Sequence, residues 1–239
     1  MIPMAGMSSR FFKAGYSKPK YMLEAKGKTL FEHSVLSFEK YFKDETFVFV
    51  IRDVYETKKF VIDKVQNLGI EKFKIVCLDN ETKGQAETVF LGLESVDDNE
   101  DLIIFNIDTF RPRFSYPDLS GKEDGYLEVF KGGGDNWSFV LPENEESTLL
   151  IETAEKRPIS DLCCTGLYYF NKVSNFKLAY NDYLNKPKES WEKGELYVAP
   201  LYNFLIKNGK RIHYHRIERD EVIFCGTPDE YDDFLYDIE

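Results

Sequence analysis

The 239-residue chain contains no run of 18 apolar residues, so no part of it is expected to span a bilayer. Its first residues lack a basic stretch followed by an apolar segment and a cleavage site, so no secretory leader is expected. Basic residues are in deficit: 31 Lys and Arg stand against 42 Asp and Glu, a formal charge of −11. That deficit argues against nucleic acid as a partner, because a phosphate backbone requires a broad basic footprint. Cysteine is sparse, at Cys77, Cys163, Cys164 and Cys225, and neither the spacing nor the neighbouring residues match a zinc site. All four lie among apolar residues, the setting of buried thiols in a reducing cytosol, and a cytoplasmic location is expected. The histidines His33, His213 and His215 are too scattered to form a metal set. Repeats, low-complexity tracts and clear linkers are also missing.

What is present is aromatic. With 20 Phe and 15 Tyr in a composition that is 43% hydrophobic, the chain can bury a sizeable core. The length suits one α/β domain with a modest elaboration. Over residues 1–110 strand and helix signals alternate. Residues 2–5, 47–51, 73–78 and 102–105 read as strands, and helical patterns cover 30–42, 55–68 and 85–93. Such alternation predicts a mostly parallel, Rossmann-like sheet flanked by helices. Ligands of such sheets bind beyond the carboxyl ends of the strands, which directs attention to Gly6, to residues 79–85 and to Asp108. Residues 111–239 differ, with short strands at 126–130, 137–140, 149–153 and 165–170. Helices follow at 172–185 and 197–208, then strands at 211–216 and 221–224, and a last helix opens at Thr227-Pro228-Asp229. One domain over 1–239 is expected, with an alternating half over 1–110 and a β-rich half over 111–239.

The most informative stretch begins Pro3-Met4-Ala5-Gly6-Met7-Ser8-Ser9-Arg10 and continues to Ser17-Lys18-Pro19-Lys20-Tyr21-Met22-Leu23. Small residues after a strand let backbone amides approach a triphosphate closely. Arg10 offers a planar, multi-donor cation to phosphate oxygens, and Lys20 a concentrated positive charge. The pattern is not a Walker motif. Gln85 opens a helix after Gly84 and can present both donor and acceptor to a base edge. Asp108 follows a buried strand, where a carboxylate can hold Mg²⁺ against phosphate oxygens.

Residues 4–33 resemble the opening signature of nucleoside-triphosphate transferases, the family of sugar-phosphate nucleotidylyltransferases and their cytidylyltransferase relatives. The resemblance rests on Ser9-Arg10, Pro19-Lys20, Tyr21-Met22-Leu23 and Gly27-Lys28-Thr29-Leu30-Phe31-Glu32-His33. Counting back from Gly27-Lys28 puts Lys20, not Lys18, at the family's catalytic lysine. The resemblance implies a GT-A-like α/β fold and an Mg²⁺-dependent enzyme that joins a nucleoside triphosphate to a phosphorylated small molecule. Pyrophosphate would be released. Arg10 and Lys20 would be catalytic, with Ala5, Gly6, Met7, Ser8, Ser9, Gln85 and Ala86 binding nucleotide. Asp108, in Asn106-Ile107-Asp108, would bind the metal. Gly125, Glu155-Lys156 and Thr165-Gly166 match the family's acceptor side, Glu155 suiting sugar hydroxyls and Lys156 the acceptor phosphate.

Three departures stand out. Only Met1-Ile2 precede Pro3, so the first strand is expected to be short. Arg157 separates Glu155-Lys156 from Pro158. In Phe224-Cys225-Gly226-Thr227-Pro228, a phenylalanine stands where the family places a second acidic metal ligand; the alternatives are Asp220, Glu221 or another carboxylate, or one metal held by Asp108 and phosphates. The implied reaction uses CTP, UTP or dTTP and a sugar phosphate or other phosphate monoester, as in capsule or other surface-polysaccharide synthesis. Homo-oligomerisation is left open, and neither nucleic acid nor membrane is an expected partner. Two readings compete: a GT-A-like glycosyltransferase, disfavoured by the lack of a mid-chain Asp-x-Asp, and a catalytically inactive nucleotide-sugar-binding regulator.

Overall fold

The computed structural model describes residues 1–118 and 124–236. In chain order the strands are β1 (Ile2–Pro3), β2 (Glu24–Ala25), β3 (Lys28–Thr29), β4 (Phe47–Ile51), β5 (Phe73–Cys77), β6 (Leu102–Phe105), β7 (Thr109–Phe110), β8 (Gly125–Lys131), β9 (Ser138–Pro142), β10 (Leu150–Glu155), β11 (Leu162–Phe170), β12 (Ile212–Arg216) and β13 (Ile223–Phe224). The helices are α1 (Ser9–Lys13), α2 (Leu30–Leu36), α3 (Thr57–Leu68), α4 (Gln85–Gly92), α5 (Val173–Leu184), α6 (Tyr202–Lys207) and α7 (Pro228–Tyr236). These elements form two compact units. No helix among the described residues is long and apolar enough to cross a membrane.

One unit comprises Ile2–Glu81, Asn106–Ser115 and Asp220–Glu239. Its parallel sheet has the order β1-β4-β5. Every residue of central β4 is buried, which explains why Phe47-Val48-Phe49-Val50-Ile51 is a continuous apolar run rather than an alternating one. The edge strand β5 is only partly covered, and Cys77 at its end is exposed. The expectation of four buried thiols therefore fails at Cys77, which ends the edge strand β5, whose neighbouring residues Ile75 and Val76 pair with β4. Helix α2 begins with a capping box: the Glu32 amide donates to Thr29 Oγ1 at 3.3 Å, and the Thr29 amide donates to Glu32 Oε2 at 2.8 Å. Its buried Phe31 packs against Phe49 and Phe60, with ring centroids 5.5 and 5.6 Å away. The helical pattern expected to reach Phe42 stops at Leu36. Phe38 leaves the helical region to meet Phe114 at 4.9 Å, and a 3-10 turn over Glu39–Tyr41 follows.

The other unit comprises Met1, Thr82–Phe105 and Tyr116–Arg219. Its sheet runs β10-β9-β11-β8-β12, with β6 pairing to β11. All pairings are antiparallel except β8 with β12. The parallel sheet expected from strand–helix alternation is thus present in three strands, and the expected β-rich part extends to six. All nine residues of β11 are buried. The buried Tyr202 hydroxyl donates to the Tyr169 carbonyl at 2.8 Å, and its ring stacks on Phe170 at 4.3 Å. Helix α6 starts at Tyr202 rather than at Tyr197. Pro200 lacks an amide hydrogen and sits in a 3-10 turn over Ala199–Leu201, while Glu195 is extended and Leu196 is bonded to residues 83 and 86.

Candidate active site

In the first-described unit β1 ends at Pro3, and Met4 continues its pairing by donating to the Val50 carbonyl at 2.8 Å. The chain then forms an open loop. Ala5 is buried, whereas Gly6, Met7, Ser9 and Arg10 are exposed. Ser8 takes the left-handed conformation, φ 51°, which turns the chain into α1, and the Phe11 amide closes on the Ser8 carbonyl at 3.0 Å. The same serine holds the second half of the motif: the Lys20 amide donates to Ser8 Oγ at 3.1 Å. Pro19 leads into a 3-10 turn over Lys20–Met22, and Lys20 Nζ meets Asp108 Oδ2 at 2.5 Å. Residues 88 positions apart are thereby joined, both side chains about one-fifth exposed.

Asp108 is fixed from behind. Its carbonyl accepts from the Cys225 amide at 2.8 Å, and β7 pairs with β13 in the register Phe224↔Thr109. A methyl group on Gly226 would come within 2.9 Å of Asp108 Oδ2, so glycine is the residue that allows this approach. Cys225 is buried beside the pair, and burial pushes its thiol up to about 12. Phe224 supplies strand pairing at the position where the resemblance places a second acidic ligand. Glu221 is turned to Arg111, at 3.9 Å. Glu230 caps α7, accepting from the Gly226 and Thr227 amides at 2.8 and 2.9 Å. Among the described residues no three His, Cys, Asp or Glu side chains gather into a metal cage. Asp108 is the carboxylate here that could hold Mg²⁺, an ion commonly bound by one or two carboxylates together with substrate phosphate oxygens. Arg52, which the sequence does not single out, has its Nη1 2.6 Å from Met7 Sδ and 3.4 Å from Glu81. It directly follows β4, so the rule about carboxyl ends of strands applied to it equally.

In the other unit, Gly84 and Gln85 open α4 under a tight constraint. Gly84 has φ +147°, and a Cβ there would lie 2.5 Å from the Leu196 oxygen and 2.6 Å from its nitrogen. Leu196 is clasped on both sides: the Ala86 amide donates to its carbonyl and its own amide to the Lys83 carbonyl, each at 2.9 Å. Gly125 opens β8 between β11 and β12, and a Cβ on it would meet the Tyr169 carbonyl at 2.6 Å, a packing reason for glycine. Thr165 and Gly166 fall where the β11–β8 register shifts, and Gly166 adopts φ +97°. Bulges of this kind re-aim side chains beside functional sites. Here Thr165 Oγ1 donates to the buried Glu128 Oε1 at 2.9 Å.

Glu155 ends β10 opposite Ser138, whose hydroxyl donates to its carboxylate. Burial raises the Glu155 pKa; the Ser138 bond and Lys156 oppose the shift, and Glu192 and Glu195 add to it. Glu192, whose carboxylate accepts from the Glu155 amide, is raised by burial too. Glu155 is near enough to Cys164 to add to the burial that raises that thiol. Because the folded Glu155 pKa lies above the ordinary 4.5, its contribution to stability is complete below that value and is lost as pH rises through the folded pKa. Glu155→Gln is neutral throughout. The urea midpoint of the native protein minus that of the variant should therefore fall as pH rises above 4.5. A difference that grows with pH would contradict the assignment.

No family model matches the chain, and no curated protein matches it. Solved structures do. The chain is 62% identical to the nucleoside-diphosphate-sugar pyrophosphorylase from Vibrio cholerae RC9, over 98% of each chain and with a TM-score of 0.94. It is 16% identical to UDP-glucose pyrophosphorylase from Acinetobacter baumannii, covering 98% of this chain and 90% of that one at a TM-score of 0.70. The inositol-1-phosphate CTP transferase from T. maritima is 17% identical, with 96% and 89% covered and a TM-score of 0.70. At such identity the latter two speak to the fold alone.

Proposed function

The chain belongs to the nucleotidyltransferase family, and from that premise we propose that it joins CTP, UTP or dTTP to a sugar phosphate or another small phosphate monoester. An oxygen of the acceptor phosphate attacks the α-phosphorus; a new P–O bond forms, the α–β bridge breaks, and pyrophosphate leaves with the electron pair. The acceptor monoester is already anionic, so no covalent enzyme intermediate is required. Catalysis is then mainly positioning and charge stabilisation. The observation that carries this reading is the 2.5 Å Lys20–Asp108 pair, tied through the Lys20 amide to Ser8 of the loop.

In this proposal the loop amides of residues 5–9 cradle the triphosphate while Arg10 and Lys20 hold its oxygens. Gln85 and Ala86 face the base. Asp108 is the protein's metal ligand, and Mg²⁺ bound there would supply neutralisation of the departing pyrophosphate. Glu155 takes acceptor hydroxyls, Lys156 the acceptor phosphate, and the 165–166 bulge and Gly125 line the same side. The choice of a pyrimidine triphosphate follows the resemblance of residues 4–33 to sugar-phosphate nucleotidylyltransferases and their cytidylyltransferase relatives. The Vibrio relative's name supports a product of the nucleoside-diphosphate-sugar class; the place in surface-polysaccharide or capsule synthesis rests on the family resemblance alone. The test is pyrophosphate release with Mg²⁺, the triphosphates CTP, UTP, dTTP and GTP, and a panel of phosphorylated sugars, alditols and amino alcohols. Release with one pyrimidine pair is the expected result. Release with GTP alone would overturn the base assignment, and silence across the panel would overturn the acceptor class.

A further inference from the structure

The Lys156 ammonium does not stand free beside Glu155. It donates to Tyr197 Oη at 2.5 Å and lies 4.6 Å from the centroid of the same ring, whereas Glu155 Oε1 is 3.9 Å away. Tyr197 is half-buried; burial raises its pKa, and the bond from Lys156 opposes that shift. The lysine backbone is itself unusual. Lys156 has φ +53°, and its amide donates to the Trp137 carbonyl at 2.8 Å, so the chain turns sharply after β10 and sends the side chain toward Tyr197. A non-glycine residue in this region costs energy and persists only where its surroundings over-determine it.

Tyr197 is equally constrained from the other side. It directly follows Leu196, whose amide and carbonyl are both bonded to residues 83 and 86, with Gly84 packed against its backbone. The turn that opens α4 and the partner of Lys156 therefore share one rigid support.

We propose that Tyr197 is a positioning residue for the acceptor: its hydroxyl and ring hold the Lys156 ammonium at a fixed distance from the 84–86 turn. The inference rests on the proposed role of Lys156 in binding the acceptor phosphate. Its consequence is selection by reach, because the acceptor's phosphate must meet an ammonium whose place is set by the base-side turn. Free lysine would accept phosphates over a wider range of positions; a lysine held by tyrosine accepts fewer and binds them better, since less rotamer freedom is lost on binding.

Steady-state kinetics of Lys156→Met, Tyr197→Phe, Tyr197→Ala and the Lys156→Met/Tyr197→Phe double variant test this with the substrate pair identified by pyrophosphate release. Tyr197→Phe should raise the acceptor KM about tenfold, the scale of a hydrogen bond to a charged group. Tyr197→Ala should raise it further, with kcat changing less than KM and the triphosphate KM within about twofold. In the Lys156→Met background, Tyr197→Phe should add nothing, because the partner it acts through is gone. Thermal melts of each variant separate these effects from unfolding. If Lys156→Met raises the acceptor KM while both Tyr197 variants leave it unchanged, the positioning role is overturned and the Lys156 reading survives. Penalties that multiply in the double variant would also overturn it, since Tyr197 would then act independently of Lys156. An unchanged acceptor KM in Lys156→Met would overturn both.

Discussion

Replacing Lys20 with alanine is expected to reduce turnover about 10²- to 10³-fold, the loss typical when one preorganised donor to developing charge is removed. The expectation follows from placement. Lys20 is delivered by a 3-10 turn, tethered through its amide to Ser8 Oγ at 3.1 Å, and aimed at Asp108 at 2.5 Å. A cation held where triphosphate oxygens and a carboxylate-bound metal would converge needs little rearrangement when charge shifts toward the leaving pyrophosphate. Stability should fall by only about 1 kcal/mol or less, as for partly solvated ion pairs. The Asp108 backbone remains bonded to Cys225 in the variant. Pyrophosphate release by purified Lys20→Ala, beside its thermal melt, checks both parts. Near-native turnover in a folded variant would remove Lys20 from the catalytic machinery.

Gly84→Ala should have the largest effect on stability. The added methyl would sit 2.5, 2.6 and 2.9 Å from the oxygen, nitrogen and carbonyl carbon of Leu196, all backbone atoms that cannot rotate away. Its φ of +147° is also strained for any L side chain. Overpacking and backbone strain together suggest a loss of roughly 2–4 kcal/mol. In a chain of this size that corresponds to a Tm lower by roughly 5–15 °C. Because the clasp between residues 83–86 and Leu196 carries both Gln85 and Tyr197, KM should rise for triphosphate and acceptor together. The same Tm as the native protein, with both KM values unchanged, would show that the clasp opens without cost.

Much of this was legible from residue order. The continuous apolar run of β4 announced a buried strand, and the helical spacing of Leu30, Phe31 and Val35 announced α2. Ser9-Arg10 and Pro19-Lys20 pointed to phosphate chemistry through their match to the opening signature of nucleoside-triphosphate transferases; small residues and two cations in a loop are by themselves a weak pattern. The burial of Cys77 was misjudged for a definite reason. Apolar neighbours reveal a strand, but whether that strand is central or at an edge depends on which strands pair with it. The start of α6 was misjudged because Leu196 is drawn into a clasp with residues more than a hundred positions earlier, and this overrides local helical preference.

The sequence by itself determined the alternation of strands and helices, the small-residue loop after β1 and the residue types that this loop carries. These depend on periodicity, conformational preference and side-chain chemistry, all local properties. Only the tertiary structure decided that Lys20 meets Asp108, that Gly226 leaves room for that carboxylate, and that Tyr197 holds Lys156. Those pairings join residues 88, 118 and 41 positions apart (108 − 20, 226 − 108 and 197 − 156). Contacts at such separations are set by strand register and by backbone approaches of a few ångströms. No local pattern in the chain encodes either one.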